Sequence, residues 1–118
     1  MFIPVESRIV QARERQVAEN EVRFRALNER LRDRGAVWTG DDGALELVCE
    51  CGDEDCTEAL SLTPREYEEV RSVETQFALL PGHVRPDLED VVADHGAWVT
   101  VRKRGEAAEI AAAADPRS

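Results

Sequence analysis

The chain has 118 residues, of which 42% are apolar and 34% charged, and its net charge is −10. That is one domain's worth of protein, small for burying a core unaided, and the negative field disfavours generic binding to phosphate backbones. No apolar run approaches the ~18–20 residues that cross a bilayer, and the opening "MFIPVESRIVQARERQ" lacks the apolar segment and cleavage site of a signal peptide, so the expectation is a soluble, cytoplasmic protein with no membrane partner.

The charge is uneven. Residues 1–35 carry eight arginines against six acids, +2, which leaves −12 on the remaining 83 residues. From Glu6 to Arg34 there is neither Gly nor Pro, and the residues are good helix formers. The pattern predicts one long helix, an N-terminal unit of residues 1–35 stopped by Gly35 as its C′ residue. Its apolar stripe is narrow: Val10, Val17, Phe24 and Leu31 recur every seven residues with Leu27 beside them, while Arg13 and Asn20 occupy the second row. Arg and Asn make a poor coiled-coil seam. Two readings stay open, a stripe packed on its own domain and one in which Val17, Phe24, Leu27 and Leu31 meet a protein partner or a second copy. The arginines Arg8 to Arg34 are the only footing for nucleic acid, and Glu14, Glu19, Glu21 and Glu29 among them argue against it.

After Gly35, "AVWTGDDGALELVCEC" predicts a hairpin: a short strand at Val37 and Trp38, a turn at 40–43, and a strand from Ala44 to Cys51. Alternation puts Leu45, Leu47, Cys49 and Cys51 on the inner face and Glu46, Val48 and Glu50 on the other. "EALSL" is a candidate short strand. Thr63, Pro64 and Glu66 spell an N-cap, a first helical position and a capping box, with Tyr67 and Val70 facing the core. "TQFALLPGH" predicts a strand running into a turn at Pro81-Gly82, and Leu88 to Ala93 with Ala97 to Arg102 predict strands around "DHG", with Asp87 an alternative cap. The tail, residues 105–118, has helix-friendly alanines but no large anchor beyond Ile110, and is expected to be loose or to fray into helix.

All three cysteines fall within eight positions, as Cys49-x-Cys51-x4-Cys56. An odd, clustered set in a reducing compartment points to metal rather than disulfides. Strand residues i and i+2 lie roughly 6.6 Å apart on one face, so two thiolates can converge at about 2.3 Å on a tetrahedral Zn²⁺. Gly52 then lets the chain turn and return Cys56 to the same point. Zinc wants a fourth ligand. His83, after "LLPG", leads the candidates, followed by Asp53, Asp55 or water, and then His95 in a hairpin turn. The acids between Glu50 and Glu58 would oppose a negatively charged site unless turned into water. Ligand-free thiols, an iron–sulfur cluster and a redox-responsive zinc–thiolate site are the alternatives. No catalytic constellation is complete, since there is no phosphate loop, no G-x-S-x-G and no deaminase pattern, and Glu68/Glu69 read as a solvated face. The expectation is a non-enzyme.

The stretch "LVCECGDEDCTEALSLTPREYEEVRSVETQFALLPGHVRP" resembles a group of small, largely actinobacterial proteins with a CxCx4C cluster, an EYxxVR helix and a PGH turn, preceded by a helix like "AENEVRFRALNERL". The likeness spans Arg13 to Lys103. It implies one metal site from Cys49, Cys51, Cys56 and His83 in a bacterial cytoplasmic protein, and implies no function. The combined expectation is an α+β fold: a long N-terminal helix, then a small antiparallel sheet with one core helix over residues 36–104, stapled by zinc. Its expected role is a protein-interaction or regulatory module, with a redox or metal sensor as the alternative.

Overall fold

The computed structural model describes the backbone of residues 5–117 and the side chains of residues 12–117. The side chains of Arg8 and Val10, parts of the basic and seven-residue patterns, lie outside the described residues.

The fold is α+β. Helix α1 runs from Val5 to Thr39, about 52 Å at 1.5 Å per residue, and it sets the 54 Å long axis of a molecule 28 by 24 Å across. It continues past the glycine expected to stop it. Gly35 does not have the left-handed φ of a cap; a Cβ there would sit 2.4 Å from Leu45 Cδ2, so this glycine admits a packed leucine. Gly40, at φ +70°, is the residue that ends the helix, its N–H bonding Ala36 O at 2.9 Å. Val37 and Trp38 are therefore helical and the expected hairpin does not form. Strand β1, Leu45–Val48, pairs antiparallel with β2, Ala59–Leu62, setting Leu45 against Leu62 and Leu47 against Leu60.

Helix α2, Pro64–Arg71, starts as its sequence dictates: Thr63 Oγ1 accepts from Glu66 N and Glu66 Oε1 accepts from Thr63 N. Such a cap contributes ~1 kcal/mol. Tyr67 and Val70 are buried against the core. Strand β3, Gln76–Leu79, leads through a single 3-10 turn, Pro81–His83, to the β4–β5 hairpin, Glu89–Asp94 and Val99–Lys103. The second sheet has order β3-β5-β4, all antiparallel, with a bulge between Val91 and Ala93. Leu47, Leu60, Leu62, Tyr67, Phe77, Leu79, Trp98 and Val101 form one core between the sheets and helices.

The segment expected to be a loose tail is instead docked. Helix α3, Gly105–Ala113, buries Ala107 and Ala111. Beyond it Asp115 pairs with the buried guanidinium of Arg71, and Arg117 bonds Glu29 and Glu68. Anchoring here comes from small side chains that allow close approach and from ion pairs, so the lack of a large apolar residue misleads.

The face that α1 turns inward is polar. Ala18, Glu21, Arg25 and Asn28, at helical spacing, are buried, as is Asn20. Arg25 donates to Glu74 O at 2.7 Å and Ala111 O at 2.8 Å, with its guanidinium 4.8 Å from the Phe77 ring centre. Glu21 and Glu89 both pair with Lys103, the chain's only lysine. Val17, Phe24 and Leu31 are half-buried along the flank of this face, and Leu27 is exposed. Among the described residues no helix is long and apolar enough to cross a membrane.

Candidate metal centre

Past Val48 the chain leaves β2 and runs beside β3. Glu50 N donates to Ala78 O at 3.0 Å and Leu80 N donates to Cys49 Sγ at 3.3 Å. Cys49 and Cys51 are thereby buried on one face, at the seam between the two sheets. Gly52, at φ +80°, reverses the chain directly against α1; a Cβ there would lie 2.6 Å from Val17 O and 2.6 Å from Glu21 Cγ. Only glycine suits both the dihedral and the contact. Asp53 Oδ1 then accepts from Asp55 N, and Cys56 N bonds Asp53 O, closing a tight turn that brings Cys56 back toward Cys49.

His83 comes from the other sheet. Its N–H bonds Leu80 O at 3.0 Å in the Pro81–His83 turn, and its Nδ1 stands 3.5 Å from both Cys49 Sγ and Cys56 Sγ. The ligand atoms of Cys49, Cys51, Cys56 and His83 all lie within 4.8 Å of one another. In a tetrahedron with Zn–S near 2.3 Å and Zn–N near 2.05 Å, the S···N edge is about 3.6 Å. The donor set therefore fits a single ion, and these four residues could hold a metal. An iron–sulfur cluster, whose cysteines ligate different irons, would spread them further.

The other candidates are elsewhere or occupied. His95 stacks on Trp98, ring centres 3.8 Å apart, with its Nε2 3.0 Å from Thr100 Oγ1. Asp53, Glu54, Asp55 and Glu58 are exposed, so four of the five acids near the thiols face water. The fifth is a correction. Glu50, assigned by alternation to an outer face, is wholly buried, because α1 and α2 cover that side of the strand. Its carboxylate accepts from Asn28 Nδ2 at 2.8 Å, from Tyr67 OH at 2.8 Å and from Ala78 N at 3.0 Å. Burial raises its pKa against those three donors.

Sequence reasoning missed this supporting shell. Asn28 Oδ1 accepts from Val48 N and its Nδ2 donates to Val48 O, each at 2.8 Å, so one side-chain amide completes the end of β1. Asn20 Nδ2 holds Gly52 O at 3.0 Å. The available signal was two asparagines, poor helix formers, eight apart within a strongly helical segment. A buried Tyr67 hydroxyl also demanded a partner.

The thiols are not equivalent. Cys51 is pulled down, chiefly by the hydrogen bond it accepts from Cys49, against the cost of burial, with the Asp53 amide and His83 adding. Cys49 is pushed well up by donating to Cys51 and by burial, and Cys56 is raised chiefly by burial. A cation bound by this cluster would displace the protons that the three thiols share. Cys51 and His83 also line a surface cleft of about 300 Å³ with Asp53, Gly82, Val84 and Arg85, which provides an entry path.

Comparison with protein-family models, curated proteins and solved structures found no match to this chain. The likeness to small actinobacterial proteins thus gains no family assignment. The Cys3His cluster rests on its own geometry.

Proposed function

We propose that this chain is a non-enzymatic, cytoplasmic zinc-binding protein whose single structural Zn²⁺ pins the two sheets together, and whose long helix α1 engages a protein partner. The observation that carries the metal reading is the pair of 3.5 Å approaches of His83 Nδ1 to Cys49 and Cys56, which match the edges of a zinc tetrahedron. A role for zinc in holding the sheets follows from where the ligands originate. Three come from the β1–β2 connection and one from the turn after β3. Metal analysis of purified protein should return about one zinc per chain, and Cys51→Ser should lose both metal and thermal stability while His95→Ala keeps its metal. A Cys51→Ser chain with full zinc content and an unchanged Tm would remove the structural site.

The cleft at Cys51 favours a second reading, a zinc–thiolate redox sensor. One molecule of hydrogen peroxide would take two electrons from two thiolates, forming a disulfide, while with two protons it becomes two waters and the ion leaves. Zinc release into a chromogenic chelator before any loss of helical signal supports this reading, and thiols inert to peroxide in the folded protein sink it.

A further inference from the structure

We propose that the outer face of α1, from Arg23 to Trp38, is the docking surface for an acidic amphipathic segment of a partner protein, with Trp38 as the apolar anchor. This deepens the interaction reading above, on which it rests, and is independent of the metal. At ~100° per residue, Arg23, Leu27, Arg30, Arg34, Val37 and Trp38 fall within about 100° of arc, opposite the buried Ala18, Glu21, Arg25 and Asn28. All six are exposed; Trp38 keeps 88% and Val37 81% of its surface in water, whereas Trp98 keeps 4%. A large aromatic left in solvent beside other apolar side chains is the composition of an interface centre.

The arginines specify the occupant. Between Arg23 and Trp38 this arc contains no acid. Arg15, Arg32, Arg65, Arg71, Arg104 and Arg117 each have a carboxylate partner, and Arg23, at the edge of the patch, stands 4.0 Å from Glu54. Arg30 and Arg34 have none among the described residues, in a chain with 25 acids. Their charge is left for something outside the fold. A second copy does not supply it, since helix-to-helix self-pairing on this stripe sets arginine against arginine. Nucleic acid would leave Leu27, Val37 and Trp38 uncovered. An acidic helix with apolar residues at i, i+3 and i+4 satisfies both chemistries.

The test uses the full zinc-loaded chain and two fluorescein-labelled helical peptides of about four turns, identical except that one carries Glu and the other Lys beside a leucine stripe, with binding read by anisotropy. The Glu peptide should bind saturably, and Trp38→Ala should weaken it about tenfold. Arg30→Glu/Arg34→Glu should abolish its binding and transfer it to the Lys peptide. Binding of the Lys peptide to the natural chain, lost in Trp38→Ala, would overturn the acidic chemistry while the interaction reading stands; binding of neither peptide fells both. Displacement of the Glu peptide by a short DNA duplex, or by concentrating unlabelled protein into a dimer, would likewise overturn the proposal. Zinc content of the same samples reads the metal site separately.

Discussion

Helix α1 has two faces whose contents are the reverse of the usual arrangement. Inward it presents Asn20, Glu21, Arg25 and Asn28, almost wholly removed from water. Outward it presents Leu27, Val37 and Trp38 between arginines. The difference lies in what stands opposite. The inner face meets backbone that no strand partners: Val48 at the end of β1, Gly52 in the cysteine turn, Glu74 before β3 and Ala111 near the end of α3. A leucine there would leave each of those groups unsatisfied at roughly 1–3 kcal/mol. On this helix burial follows hydrogen-bonding demand, and apolar character survives on the side with nothing against it.

That contrast can be broken by substitution, and the largest effect belongs at Arg25. Arg25→Ala should cost about 3–5 kcal/mol in chemical denaturation, because it opens a cavity over Phe77 and frees the buried Ala111 carbonyl and the part-buried Glu74 carbonyl. Arg25→Met, which keeps the length and removes the buried charge, should cost distinctly less; equal losses would mean that charge is irrelevant on this face. Ending the chain after Ala113 should cost about 3 kcal/mol, since Arg71, fully buried, then loses Asp115 and keeps only Glu29. Asn28→Ala should cost about 2 kcal/mol and speed zinc loss to a chelator, as it unties both Val48 and Glu50.

A smaller effect is expected at Glu21. Burial, opposed by Lys103 and reinforced by Glu89, pushes its carboxyl from 4.5 up to about 8. The unfolded chain sheds that proton first, so this group's contribution to stability falls as pH rises from 4.5 to about 8. Glu21→Gln should flatten that fall in a Tm profile across about pH 5–8; a profile parallel to the natural chain's would show that Glu21 is ionised throughout. Smallest of all, Trp38→Ala and Arg34→Ala should shift stability by no more than about 0.5 kcal/mol. A larger loss from either would place the outer face in the fold itself.

Where local chemistry decides the structure, the sequence was readable. The capping box at Thr63 and Glu66, the alternation of Leu45 and Leu47, the β4–β5 hairpin and the convergence of three cysteines around Gly52 all depend on neighbours within a few residues. What failed depends on distant ones. Gly35 carries the letter of a helix stop but serves Leu45, ten residues on, and Gly40 does the stopping. Glu50 lies past the end of β1, which stops at Val48 rather than running to Cys51, and two helices cover the side assigned to water. The seven-residue apolar stripe marks only the flank of the buried face. The true stripe, written in Asn, Glu and Arg, could not be told from a solvated one without knowing which backbone groups it would meet.

The inner face of α1 also bears on how the chain is made. Several of its partners lie late: Lys103 pairs with Glu21, Ala111 O accepts from Arg25, and Arg117 pairs with Glu29, while Asp115 pairs with Arg71 of α2. A ribosome that has released residues 1–85 has delivered the whole cysteine–histidine cluster, but α1 is still without the lysine, the helix and the ion pairs that close over it. Metal capture can therefore precede completion of the core. During that interval the cysteine turn, held by Asn20 and Asn28, anchors the helix together with the bonds from Arg25 to Glu74 and from Arg71 to Glu29.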